Sequence, residues 1–205
     1  MAGRSVHTVL FDADGLLQHP AAGWAERLSG FDDGDPEGFL VALWEAERPA
    51  LEGRETLRDS VTRLLASRGL DEGRADEVCA LWDNIEVDQE AWQLVRDVAD
   101  AGVACHLATN QQSYRRDLMI DLGYGDLVEH AFYSCDLGHA KPDPEYFRAI
   151  LARLDAGPDG VVFVDDRVDN VEAARSVGLD AHVHDPSTGA EGLRGVLRAA
   201  GVPGA

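Results

Sequence analysis

Short apolar, β-branched runs recur along the chain and break off abruptly into Asp, Thr, Asn or Gly. The first, Val6-His7-Thr8-Val9-Leu10-Phe11, ends in Asp12-Ala13-Asp14-Gly15, the pattern of a buried strand entering a turn. Similar runs lie at Val103 to Ala108, Ala131 to Ser134, Gly160 to Val164 and Ala181 to His184. Helical patterns separate them. Gln89 to Ala101 sets Ala91, Trp92, Leu94, Val95 and Val98 on one face before Gly102 stops it. Ser113 to Leu122 precedes Gly123, and Asp169 to Val177 ends at Gly178. Pro144 to Leu154 opens with Asp143 at the N-cap and proline at the first helical position. Strands alternating with helices of this length predict βαβ units, an α/β fold with a mainly parallel sheet.

The alternation is interrupted between the first strand and Gln89. No strand-like run appears there, and Pro36 to Glu47, Thr56 to Arg68 and Arg74 to Trp82 read as helices, with a weaker one near Trp24. So much helix exceeds a simple crossover. The expected organisation is a core of 1–16 and 89–205 with a small helical domain, 17–88, inserted after the first strand. Trp24, Trp44 and Trp82 all fall in the insertion and read as its core, with room for one to face a ligand.

Composition narrows the function classes. A hydrophobic fraction of 45% in 205 residues supports a buried core. No apolar run reaches the roughly 18 residues that span a bilayer, and residues 1–5 are too short and polar for a signal peptide. Cys79, Cys105 and Cys135 are far apart and read as small buried residues rather than a disulfide framework or zinc site. The expectation is a cytoplasmic protein. A formal net charge of −20 repels nucleic acid and anionic membranes, so an anionic substrate needs local cations. Seventeen of the eighteen basic residues are arginine, and Lys141 is the only lysine. His182 and His184 share a face of the last strand, but two imidazoles do not make a zinc site.

In an open parallel sheet, ligands bind beyond the carboxyl ends of the strands. The residues there are Asp12 and Asp14, then Thr109 and Asn110, then Gly138-His139-Ala140-Lys141-Pro142, then Asp165-Asp166 with Asp169-Asn170. Each type alone is common in turns and caps; together they fit phosphoryl transfer. Carboxylates from two loops suit Mg²⁺, a lysine and a hydroxyl can neutralise phosphoryl oxygens, and one carboxylate is left to attack phosphorus while another moves the proton.

These motifs resemble those of the haloacid dehalogenase superfamily of hydrolases with an inserted helical cap: Phe11-Asp12-Ala13-Asp14-Gly15, Leu107-Ala108-Thr109-Asn110, Gly138 to Pro144, and Val164-Asp165-Asp166. The resemblance covers the core; the insertion matches by position and helical character. It implies a Rossmann-like core with the first strand central. It also implies Asp12 as nucleophile and metal ligand, and Asp14 as acid and base with its carbonyl on Mg²⁺. Thr109, Asn110 and Lys141 would hold the phosphoryl group, with Thr109 and Lys141 counted as catalytic. Asp166 would ligate the metal, Asp165 would do so directly or through water, and Asp169 and Asn170 would support or cap. The expected cofactor is Mg²⁺ and the expected partner a small phosphorylated metabolite. Leu16 and His19-Pro20 depart from the family's habit where the chain enters the insertion, which bears on substrate choice.

Within the superfamily a dehalogenase lacks the acid at the position of Asp14, and imine-dependent phosphonate cleavage needs a lysine in the cap, which has none. A phosphomutase would use the same motifs. A receiver module of a signalling relay carries its acidic pair after the first strand and has no insertion, and a scaffold without turnover would not need every catalytic position.

Overall fold

The computed structural model describes residues 5–205, so residues 1–4 of the expected core lie outside the described residues. In chain order the elements begin with β1 (Thr8–Phe11), β2 (Gln18–Pro20), α1 (Trp24–Ser29), α2 (Pro36–Leu51), α3 (Leu57–Ser67), α4 (Ala75–Cys79) and β3 (Ile85–Val87). They continue with α5 (Gln89–Asp100), β4 (Ala104–Thr109), α6 (Ser113–Asp121), α7 (Tyr124–Leu127), β5 (His130–Tyr133) and α8 (Ser134–Leu137). The last are α9 (Pro144–Arg153), β6 (Val161–Asp165), α10 (Val168–Ser176), β7 (Asp180–Val183) and α11 (Gly189–Ala199).

Five strands form one parallel sheet in the order β5-β4-β1-β6-β7. Every residue of β1 and β6 is buried, as expected of strands covered on both faces. Alternation then sorts the side chains. Val9, Phe11, Cys105, Leu107, Val162 and Val164 join the cluster that also holds Val95 and Val98 of α5 and Leu193 and Leu197 of α11. Leu10, Ala108 and Phe163 face the opposite way, with Tyr146, Phe147 and Ile150 of α9 and Val171 of α10. The result is a three-layer α/β fold with β1 at its centre. The ladder continues one step past β1, where the Asp12 amide donates to the Val164 carbonyl at 3.0 Å. The nucleophile candidate is thereby anchored at the sheet's carboxyl edge.

Helices α1 to α4 enclose their own apolar cluster, including Leu28, Phe39, Leu43, Val61, Leu65, Val78 and Trp82. Their ends are specified locally. Asp35 caps α2 by accepting from the Gly38 amide, and Thr56 and Asp59 form a reciprocal capping box at α3. Where the sequence pattern shows only helix, the structure adds a two-stranded antiparallel ribbon, β2 with β3. Its strands are too short for period-two alternation to register, yet they tie the two crossings of the chain together. The Asp88 amide extends the pairing by donating to the Leu17 carbonyl at 3.0 Å. Cys79 and Cys105 are buried as expected, but Cys135 is only partly so; it sits in α8 near the sheet edge. His184 is buried, and His182 pairs with Asp180 at 2.9 Å.

Candidate active site

Asp12, Thr109, Lys141, Asp165 and Asp166 come from four strand ends and meet at the carboxyl edge of the sheet. Lys141 is the hub. Its side chain is 1% exposed, and its ammonium lies 2.9 Å from Asp12 Oδ1 and 2.6 Å from Asp165 Oδ2. It also donates to the Ala108 carbonyl at 2.9 Å. Asn110 holds the lysine backbone in place, donating from Nδ2 to the Lys141 carbonyl and accepting the Lys141 amide, both at 2.8 Å. All three hydrogens of the ammonium thus have acceptors, the condition under which a buried charge is tolerated.

The carboxylates differ in environment. Burial opposes ionisation of Asp165, but Lys141, the Arg167 amide and the Asn170 amide together hold its pKa below the usual range. Asp12 is pushed well up, chiefly by burial and then by repulsion from Asp165 and Asp14, against the pull of Lys141. Asp166 is raised too, by burial and by Asp165. Burial works against the charge on Lys141, and the two carboxylates more than restore it. Crowded acids whose proton affinity is raised are the setting in which a bound cation reverses the balance.

Carboxylate oxygens of Asp12, Asp165 and Asp166 lie within 4.8 Å of one another, an all-oxygen donor set that fits a hard divalent ion. Gly15 permits this approach. Its φ is +81°, and a Cβ there would fall 2.8 Å from Asp166 Oδ2. The three donors are not equivalent. Both oxygens of Asp165 are already taken, Oδ1 by the Arg167 amide at 2.8 Å and by Asn170 at 3.0 Å, Oδ2 by Lys141. Asp12 and Asp166 are the better placed to ligate directly. Asn170 Oδ1 is buried without a protein partner and lines the same cavity. Asp169 turns outward to Arg167 at 2.7 Å.

Asp14 is set apart from this cluster. Its side chain is 44% exposed and accepts from Arg115 at 2.8 Å, Gln18 at 2.9 Å and Gln111 at 2.7 Å. Gln111 also donates to Thr109 Oγ1 at 3.2 Å, which leaves the buried Thr109 hydroxyl its own proton to give. Arg115, Gln111 and Gln18 were not singled out from the sequence. Arg115 belongs to the first turn of α6 and Gln18 to β2, and only the tertiary fold brings them to Asp14. The one available signal was the adjacency of Gln111 to the Thr109-Asn110 strand end.

A cavity of about 700 Å³ opens above these groups. Asp12, Asp14, Thr109, Lys141 and Asp166 floor it, and Trp24, Trp44, Glu47, Arg48 and Trp82 from the inserted helices wall it. Glu47 was also missed. It is buried on α2, and burial pushes its pKa up from 4.5 to about 7, against hydrogen bonding from Gln112, the charge of Arg115 and the Trp82 indole.

The sequence profile of the haloacid dehalogenase-like hydrolases matches residues 6–178. The chain belongs to this family of hydrolases. Among curated relatives, the mouse bifunctional epoxide hydrolase 2 is 25% identical over 198 residues, covering 85% of this chain and 36% of that protein. A sesquiterpene phosphatase of Aspergillus oryzae is 32% identical over 93 residues, 45% of this chain and 47% of the relative. The chain thus matches between about a third and a half of the length of these relatives. A haloacid dehalogenase family enzyme of Bacteroides thetaiotaomicron, solved as a magnesium complex, shares the fold. Its TM-score is 0.75 at 16% identity, over 89% of this chain and 94% of that one.

Proposed function

We propose that this hydrolase is a Mg²⁺-dependent phosphatase that cleaves a small phosphate monoester through a phosphorylated Asp12, with residues 17–88 acting as a cap over the site. The observation that carries the reading is the pairing of Asp12 with Lys141 beside a second acid, Asp14, two residues along. A halide leaves without a proton; an alkoxide does not, so an acid at Asp14 favours esters. A phosphatase among the relatives and a magnesium complex among the structural neighbours are consistent with it.

In this reading Asp12 and Asp166 would hold Mg²⁺, with the Asp14 carbonyl as a further ligand and Asp165 supporting the site through Lys141 and Asn170. The bound ion would supply charge neutralisation for the phosphoryl oxygens and for Asp12. Lys141 and the Thr109 hydroxyl take the remaining phosphoryl charge, and Asn110 positions the lysine. One Asp12 oxygen attacks phosphorus while Asp14 gives its proton to the departing alkoxide. Asp14, now a carboxylate, then takes a proton from the water that attacks the phosphorylated Asp12. Arg115, Gln18 and Gln111 orient the Asp14 carboxyl group for both proton transfers.

The test is phosphate release from a panel of phosphorylated metabolites. With Mg²⁺ present, at least one ester turns over; with excess chelator, turnover stops and returns when Mg²⁺ is restored. Undiminished turnover in chelator would contradict the metal assignment.

A further inference from the structure

The cavity reaches well beyond the catalytic floor, and its size is in the range that encloses drug-sized ligands. Its far wall is indole. Trp24 and Trp44 stack with ring centroids 5.6 Å apart and planes 24° apart, and Trp82 meets them edge-on at 6.0 and 6.2 Å. Trp82 is buried in the cluster of the inserted helices, whereas Trp44 stands outside it and is 46% exposed. The wall therefore still has aromatic surface to cover.

Most polar groups beside the indoles are engaged within the protein, while Arg48, 71% exposed, keeps guanidinium hydrogens free at the rim of the cavity. Trp24 Nε1 donates to the Leu81 carbonyl at 2.8 Å, and the Asn84 amide donates to the Leu81 and Ala80 carbonyls at 3.2 and 3.4 Å. Gln112 donates to Glu47 at 3.4 Å, and Arg48 pairs with Glu52 at 3.5 Å. A hydroxylated substrate pressed against this wall would give up hydrogen bonds to water and meet indole faces instead, which is costly. A flat aromatic group gives up none and stacks favourably.

Resting on the phosphatase reading above, we infer that the alcohol half of the substrate is an aromatic ring system, seated against Trp44 and Trp24 while the phosphate lies on Asp12, Lys141 and Thr109. The chain is thereby assigned aryl-bearing phosphate monoesters in preference to phosphorylated polyols.

The test compares 2-naphthylmethyl phosphate and benzyl phosphate with glycerol 3-phosphate and glucose 6-phosphate, in Mg²⁺, with the wild-type chain. Naphthylmethyl, benzyl and glucose 6-phosphates are primary alkyl esters, so differences among them report binding of the alcohol rather than leaving-group chemistry. The kcat/KM for naphthylmethyl phosphate is expected to exceed that for the two polyol phosphates by at least about tenfold. Trp44→Ala is expected to lose most of that ratio, and Trp44→Phe, which keeps a ring, to retain most of it. A second measurement needs no variant: 2-naphthylmethylphosphonate should quench the intrinsic tryptophan fluorescence of the wild-type protein and compete with substrate, whereas glycerol 3-phosphate should not quench. Equal or better turnover of the polyol phosphates, or a ratio untouched in a folded Trp44→Ala protein, overturns the aromatic assignment and leaves the phosphatase reading standing. Failure to hydrolyse any phosphate ester overturns that reading, and this inference with it.

Discussion

Glu47 is an acid held where charge is expensive. In the unfolded chain it ionises near its ordinary 4.5; in the fold its pKa is pushed to about 7. Between those values the folded state holds a proton that the unfolded state has lost, so stability falls as pH rises through the window. The charged groups around it are Arg115 and, beyond it, Asp14, and neither compensates for the desolvation. Glu47→Gln is therefore expected to raise Tm at pH 8, by the equivalent of about 1–3 kcal/mol, and to change little at pH 4. Thermal unfolding at the two pH values checks this; an unchanged difference between variant and wild type would contradict it. Lys141 is the converse, a charge that burial tolerates because two carboxylates surround it. From the sequence, a lone lysine in a Pro-flanked loop reads as chemical rather than structural, so that its loss would harm turnover more than folding. The geometry adds a cost in stability to that expectation. Lys141→Ala strands Asp12 against Asp165 and is expected to cost about 3–5 kcal/mol of stability in metal-free protein, besides abolishing turnover. Added Mg²⁺ should recover part of the Tm but none of the activity. Lys141→Arg should also be inactive, since a planar fork does not replace a compact ammonium. At this scale the motif residues were legible because each ends or follows a strand, Asp12, Thr109, Asp165 and Asp166 directly and Lys141 after the short helix α8. Glu47, Arg115 and Gln111 were not, because their roles depend on which helices pack over those ends.

Helix α2 carries the wall of the cavity and must be set at the right height above the sheet. Its last turn is followed by Gly53, with φ +69°, where any side chain would collide with the Cys135 carbonyl oxygen of α8. The close approach belongs to glycine. Gly53→Ala is expected to push α2 off α8, lowering kcat/KM by about tenfold or more through displaced positioning groups, with a smaller loss of Tm. A variant of wild-type kcat/KM would show that this contact does not set the cap. Elements with a strong apolar stripe or a recognisable cap, such as α5 by its apolar face and α9 behind Asp143 with Pro144, were readable in the sequence. The ribbon of β2 and β3 was not, because three residues carry no period and its stability comes from cross-strand pairing.

Across the whole molecule, the sheet order places β1 between β4 and β6, so loops distant in sequence converge on Asp12. In the proposed reading, the strong negative charge of the chain would leave a substrate's phosphate dependent on Lys141, the arginines near the cavity and a bound cation. The parallel core was foreseeable from alternating strands and helices. The position of the helices over the sheet was not, since it depends on contacts such as Gly53 with Cys135. Everything in the account turns on Asp12 forming a covalent bond to phosphorus, and Asp14→Asn exposes it. The variant keeps the side-chain size and the backbone carbonyl but can neither give nor take the proton, so alkyl phosphates should slow by about 10²–10⁴. A p-nitrophenyl ester leaves without a proton, so its first step is largely spared while the second still lacks its base. The decisive measurement is rapid mixing of Asp14→Asn with p-nitrophenyl phosphate and Mg²⁺, followed by mass spectrometry of the quenched protein. The account predicts a burst of about one nitrophenolate per site, slow turnover after it, and phosphate on Asp12. Steady turnover at the wild-type rate with no phosphorylated protein, or phosphate on any other residue, would contradict it.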